Sequence, residues 1–426
     1  MFILLKFKNK FMRYHTFLSI VIGTILMINQ NAIAQTIEPQ SEQFQNRIED
    51  SIFSKTLSES RDFWVRLPDN FQPDNDEKYA VIYLMDGFSL ESTLEAVYGN
   101  YWGHYLPHMI LVGVSNRENR TRDLTTSEMK TRRGSAFHYK TGGAETFTRF
   151  MEEELIPHID STYPTIAYRT LIGHSHAGQF AINMLVNHAH LFQNYIAIDP
   201  TLDWDNQKLL KQAKDKFQTE DYEGKSLFVS LAAEMLNMQD ESVTMDNVMS
   251  DSSEFSLPAR SIVEFARLAE SQNQLNFSWK AYPEDLHGTV PLPSMRDGLI
   301  FLFEWYQFKS PQKYNNPETT LEELVSLLKE QEKIYTEHFG VPTAPMVDEM
   351  LNGYGYMNMQ MGQPEKAFMF FEMNIKQNPT NANAYDSMAE YYESQNDKEN
   401  ALKYLKKAFE LSGNDYHKER IEALNN

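Results

Sequence analysis

The chain contains no cysteine among its 426 residues. Disulfide bridges are therefore excluded, and stability must come from the core that a chain of this length can bury. A lipid-anchored cysteine is excluded for the same reason. Positive charge is scarce: 39 Lys and Arg stand against 59 Asp and Glu, for a formal net charge of −20. That balance argues against nucleic acid and against anionic membrane surfaces as partners. No convergent set of cysteines and carboxylates supports a metal site, and no cofactor is expected. The apolar run near the amino terminus, Phe17 to Ile28, has twelve residues and is too short for a comfortable membrane span.

What surrounds that run gives it a different meaning. Lys6, Lys8, Lys10 and Arg13 precede it, and Ala32-Ile33-Ala34 follows as a small-x-small cleavage site before Gln35. Residues 1–34 read as a signal peptide, and the mature protein as exported, periplasmic or secreted. Translation from Met1 or from Met12 leaves the signal complete. Removing a leader with four basic residues and no acid takes the net charge from −20 to about −24.

The most informative stretch is Leu171-Ile-Gly-His-Ser-His-Ala-Gly178. An apolar run enters it and an apolar helical pattern leaves it. Small residues at 173, 177 and 178 permit a sharp strand-to-helix turn with Ser175 at its corner, the geometry of a serine nucleophile. Upstream, 78–87 and 109–114 are short apolar runs that read as buried strands. Glu145 to Ile159 has helical spacing. Beyond the corner, 179–188 and 261–269 read as helices, and 195–198, 227–231 and 275–280 as strands. This alternation predicts an α/β-hydrolase fold, a mostly parallel sheet flanked by helices, with ligands at the carboxyl ends of the strands.

A nucleophilic serine needs a base and an orienting acid. His287, after the last predicted strand, is the candidate base. The chain order Ser, acid, His places the acid between 175 and 287, after the strand ending near Leu231. Glu234 fits best, with Asp240, Glu241 and Asp246 as alternatives. The oxyanion hole needs two backbone N–H groups. His176 supplies one, and Phe88, in the turn Asp86-Gly87-Phe88, the other, with Gly87 allowing close approach. Arg117, Arg120 and Arg122 follow a predicted strand end on the ligand face. They read as holding a substrate carboxylate, phenolate or chelated anion, or else as a solvated loop. His174 and His176 flank the serine and point apart, which speaks against a metal site.

Several of these stretches together resemble one family. They are Ser58 to Pro68, Val81 to Gly87, Asn116 to Leu124, Gly142 to Phe147, Glu154 to Ile159, the Ser175 corner and His287-Gly-Thr289. Residues from about 45 to 307 resemble the putative-esterase family of α/β-hydrolases, and within it the siderophore-esterase branch. The resemblance implies Ser175 as nucleophile, His287 as base and Gly87–Phe88 as oxyanion region. Ala177 stands where the family usually has Gly. His176 replaces a residue more often apolar.

The expected organisation is 1–34 signal peptide, 35–308 hydrolase, 309–317 linker and 318–426 helical domain. The linker (KSPQKYNNP) is polar with two prolines. The tail repeats at 34 residues: Ala367 matches Ala401, Phe371 matches Leu405, and Gly355 falls opposite Ala389. Period and small-residue placement resemble tetratricopeptide repeats. They imply either a groove for a protein partner or an appendage that braces the hydrolase or covers its active-site face. The functional expectation is an exported serine esterase acting on a small-molecule or glycan-linked ester, such as a siderophore trilactone or a feruloyl ester. The competing reading is an inactive hydrolase fold serving as a binding scaffold.

Overall fold

The structure, a computed structural model, describes residues 47–425 apart from 69–70, 72–76, 104, 133 and 238–241. The expected signal peptide lies outside the described residues. Among those described, no helix is long and apolar enough to cross a membrane.

Eight strands form one sheet in the order β1-β2-β4-β3-β7-β8-β9-β10. They are β1 (Arg47–Ser54), β2 (Glu59–Arg66), β3 (Tyr79–Leu84), β4 (Met109–Val114), β7 (Thr165–His174), β8 (Asn194–Ile198), β9 (Ser226–Ala232) and β10 (Asn276–Tyr282). β1 pairs antiparallel with β2, and β2 antiparallel with β4. The remaining neighbours are parallel. A separate hairpin joins β5 (Thr131–Arg132) to β6 (Ser135–Ala136).

The inner strands are buried on both faces, which is why they read as continuous apolar runs. The period of two still sorts their side chains. Val81, Tyr83 and Tyr195 join one cluster with Phe147 and Phe180. Ile196 and Phe228 face the opposite way, against Gly298 of the helix Pro291–Leu302. This mixed, mostly parallel sheet with helices on its two faces is the α/β-hydrolase fold. The helical run expected over 145–159 is continuous but not uniform. A π turn, Met151–Leu155, separates α-helical Ala144–Phe150 from Ile156–Thr162.

Beyond residue 306 the chain is all-helical. Numbering the helices of the described residues in order, these are α9 (Leu321–Phe339), α10 (Asp348–Gln360), α11 (Pro364–Gln377), α12 (Ala382–Ser394), α13 (Lys398–Ser412) and α14 (Asp415–Asn425). The hairpins α10/α11 and α12/α13 start 34 residues apart at both helices. Ala367, Phe371, Ala401 and Leu405 are fully buried at the matching positions. The segment expected as a polar linker is packed instead. Pro311–Tyr314 forms a 3-10 turn, Tyr314 is buried with Leu324 and Phe370, and its carbonyl accepts from Asn358 Nδ2 at 3.0 Å. One aromatic in a polar nonapeptide is enough to seat it.

An aromatic cluster docks α9 on the hydrolase. Trp305 stacks on His338 with ring centroids 4.0 Å apart, and Tyr306 stacks on Tyr335 at 4.5 Å. Phe339 meets Tyr168 edge-on at 5.2 Å, and Tyr335 Oη donates to the Tyr306 carbonyl. Tyr168 lies near the start of β7, whereas Ser175 follows its end. The seven residue steps between them span about 23 Å of strand. Helix α9 therefore docks near the start of β7, at the end of the strand away from the serine. Tyr335→Ala removes a fully buried ring, its stacking partner and its hydrogen bond. It is expected to cost about 3 kcal/mol or more, read as an earlier denaturation midpoint.

Candidate active site

β7 ends at His174, and the helix α5 (His176–Asn187) begins two residues later. Ser175 between them takes φ 63° and ψ −118°, a strained conformation for a residue with a Cβ. Three backbone bonds hold it there. Its N–H donates to the Ile198 carbonyl at 2.9 Å, and its carbonyl accepts from Gln179 at 2.9 Å and Thr201 at 3.2 Å. Gly173 is required by close approach, since a Cβ there would lie 2.1 Å from the Ala177 carbonyl oxygen. Ala177 is itself fully buried, so the methyl in place of the family's usual hydrogen is accommodated.

His287 lies in the loop after β10 with its side chain 47 % exposed. Its Nδ1 is 2.6 Å from Asp199 Oδ2. A carboxylate on Nδ1 fixes the tautomer and leaves Nε2 as the acceptor, the state a general base requires. Asp199 directly follows β8 at φ 40°. Its other oxygen accepts from the Ala232 N–H at 3.1 Å, and its own N–H reaches the Ser230 carbonyl at 3.1 Å, so β9 holds it in place. Two residues on, Thr201 Oγ1 stands 3.5 Å from Ser175 Oγ. Among the described residues no hydrogen bond joins Ser175 to His287. Catalytic contacts are often this loose without substrate.

The acid beside His287 is thus Asp199 and not Glu234. Glu234 is exposed in a 3-10 turn, with its N–H 3.4 Å from the Asp285 carbonyl. Asp246 is exposed as well, and Asp240 and Glu241 lie outside the described residues. The order rule holds for Asp199, but one strand earlier than expected. The signal was present: a carboxylate immediately after the apolar run Tyr195-Ile-Ala-Ile198, on the strand next to the one that ends at the Ser175 corner.

The turn after β3 is a helix start. Asp86 takes a left-handed φ of 53°, and helix α1 (Gly87–Tyr101) begins at Gly87. A Cβ on Gly87 would sit 2.4 Å from the backbone of Gly113 in β4, so no other residue fits this packing. Phe88 and His176 both stand in the first turn of a helix, where N–H groups have no intrahelical acceptor. Burial lowers the pKa of His176 to about 3, and its ring packs edge-on against Trp204 at 5.2 Å. Burial likewise lowers His174 to about 4, and its ring lies on that of His287 with centroids 4.4 Å apart. Both rings stay neutral, and they diverge around the serine.

The arginines divide by partner. Arg120 grips Asp86, with Nε 2.9 Å from each carboxylate oxygen, and its Nη2 donates to the His174 carbonyl at 3.2 Å. It ties the turn after β3 to the serine corner and is no free substrate contact. Arg122 is engaged by Glu59 at 2.6 and 3.0 Å and by Asp123 at 2.8 Å. The hydrogen bonds to Glu59 hold its guanidinium well above the usual value and pull the Glu59 carboxyl down. Two of the three guanidiniums expected on the ligand face are thus engaged within the protein. Arg117 differs: it is exposed, lies over the Phe88 ring at 5.1 Å and has no carboxylate partner among the described residues.

The family model described as Putative esterase matches residues 54–284. This chain belongs to that esterase family. The esterase is 30% identical over 207 residues to the ferri-bacillibactin esterase BesA of Bacillus subtilis, an overlap of 45% of this chain and 71% of that one. It is 28% identical to the siderophore enterobactin esterase of Emericella nidulans, over 38% of this chain and 56% of that one. Among solved structures, an IroE-like serine hydrolase from Shewanella oneidensis shares the fold of this esterase at TM-score 0.63 and 24% identity, over 77% of this chain and 99% of that one. An uncharacterised protein from Capnocytophaga ochracea matches at TM-score 0.55 and 17% identity, over 89% of this chain and 99% of that one. This carboxylic ester hydrolase therefore shares its architecture well beyond the matched family segment.

Proposed function

We propose that this chain is an exported serine esterase that cleaves a small-molecule carboxylic ester with Ser175, His287 and Asp199 as its catalytic triad. The observation that carries the reading is the 2.6 Å contact between His287 Nδ1 and Asp199. In the first half-reaction the Ser175 side chain rotates from Thr201 toward His287. Nε2 takes the hydroxyl proton as Oγ bonds to the substrate carbonyl carbon. The carbonyl oxygen becomes an oxyanion facing the N–H groups of Phe88 and His176, helped by the positive end of α5. Collapse breaks the bond to the leaving oxygen, and His287 returns the proton to it as an alcohol. Water then repeats the sequence on the acyl-enzyme, releases the acid and restores the serine.

The named relatives act on siderophores, which makes a siderophore lactone the first substrate to try. The leader at 1–34 supports export. The 34-residue offset of the helical hairpins supports a tetratricopeptide-like module, and its position supports a bracing role. The test is hydrolysis of p-nitrophenyl esters from acetate to octanoate by the chain from Gln35, followed by a ferric trilactone siderophore. Activity above a Ser175→Ala blank is expected, and the chain-length profile sizes the acyl pocket. No activity on either class overturns the esterase reading in favour of a binding role.

A further inference from the structure

A cavity of about 360 Å³ opens beside the proposed oxyanion loop, with Asp86, Phe88, Ser89, Asn116, Arg117 and Arg120 in its wall. Its chemistry is one-sided. Asp86 is neutralised by the two-point grip of Arg120. His174, which also borders it, stays uncharged because burial lowers its pKa to about 4. Arg117 is left as the uncompensated charge of the lining, so the cavity carries about one positive charge. That is notable on a chain of net charge −20.

A second donor stands beside it. Asn116 is 1 % exposed, and its Oδ1 accepts from the Asp86 N–H at 3.3 Å, which fixes the amide orientation. Its Nδ2 then has no partner among the described residues. A buried amide left without an acceptor costs about 1–3 kcal/mol, so its persistence here points to an acceptor brought by something else. The exposed guanidinium of Arg117 and the buried amide of Asn116 both belong to residues of this wall, and its one carboxylate is already taken. That set matches a planar, singly charged oxyanion.

We propose that this cavity is a subsite for a carboxylate on the ester substrate, held by Arg117 and Asn116 Nδ2. The subsite rests on the proposed esterase site, because it shares Phe88 with the oxyanion loop. It would make the enzyme prefer esters that carry a free acid near the scissile carbonyl.

The carboxylate can belong to the acyl or the alcohol part, so the experiment has two arms. One compares mono-p-nitrophenyl succinate with p-nitrophenyl butyrate. The other compares 4-acetoxybenzoate with its neutral methyl ester. In at least one arm the charged ester should have the higher kcat/KM, and Arg117→Gln or Asn116→Leu should lower the charged-to-neutral ratio about tenfold. Lys403→Gln, which removes one positive charge from the distant helical region, should leave the ratio unchanged. Equal ratios in the wild type and both pocket variants, or an equal fall in Lys403→Gln, would overturn the subsite. Binding of the same four esters to Ser175→Ala protein by calorimetry reads the subsite without turnover. Preferential binding of a charged ester that Arg117→Gln abolishes would keep the subsite even if hydrolysis fails. Indifferent binding would sink the subsite while leaving an active esterase untouched.

Discussion

Asp199→Asn should lower kcat for ester hydrolysis by about 10⁴-fold, the scale seen when a triad aspartate is replaced by its amide. The side chain keeps its shape, but the amide can donate to His287 Nδ1. The ring proton then moves to Nε2, where the base needs a lone pair. Glu234→Gln should leave the rate at the wild-type level, because that carboxylate is exposed in its turn and does not bond His287. Steady-state kinetics on one p-nitrophenyl ester, with matched thermal midpoints, decides between the two. A collapse in Glu234→Gln with Asp199→Asn unharmed would return the acid to the loop after β9. The contact with Asp199 would then belong to a resting state only.

The second large effect concerns the nucleophile. Ser175→Ala should lower kcat by about 10⁶-fold, leaving whatever the oxyanion donors and substrate binding supply on their own. It should also abolish labelling by a fluorophosphonate probe. His287→Ala should fall about as far, and the double variant little further, because the two residues act as one unit. Additive losses would mean that Ser175 is activated by something other than His287.

The strand-to-helix corner at Ser175 was legible because its demands are local. The turn needs small residues at 173, 177 and 178, an apolar strand before and a helix after, and all lie within a dozen residues. The sheet was legible for a similar reason, since buried parallel strands leave unbroken apolar runs. The helical repeat announced itself by its period. What stayed hidden depends on which strands are neighbours. The order rule allowed any acid between 175 and 287, and the acid-rich stretch after β9 drew attention away from a lone Asp199. Only the pairing of β7 with β8 brings that carboxylate and Thr201 to the serine. The arginines failed in the same way. Their charge was plain, but Arg122 meets Glu59 across 63 residues and Arg120 meets Asp86 across 34. Satisfied and free cations look alike in a sequence. The turn expected to carry an oxyanion donor gave no sign of the helix that starts in it, because a left-handed Asp86 at a helix entry leaves no pattern of its own.

The aromatic seam around Trp305 fixes more than a second set of helices. It sets a direction, with the grip at one end of the strands and the opening at the other. A molecule bound against α9 would meet the enzyme at the end of β7 opposite the Ser175 corner. A contact made at that end would leave the Ser175 corner unobstructed, so docking and turnover could change independently.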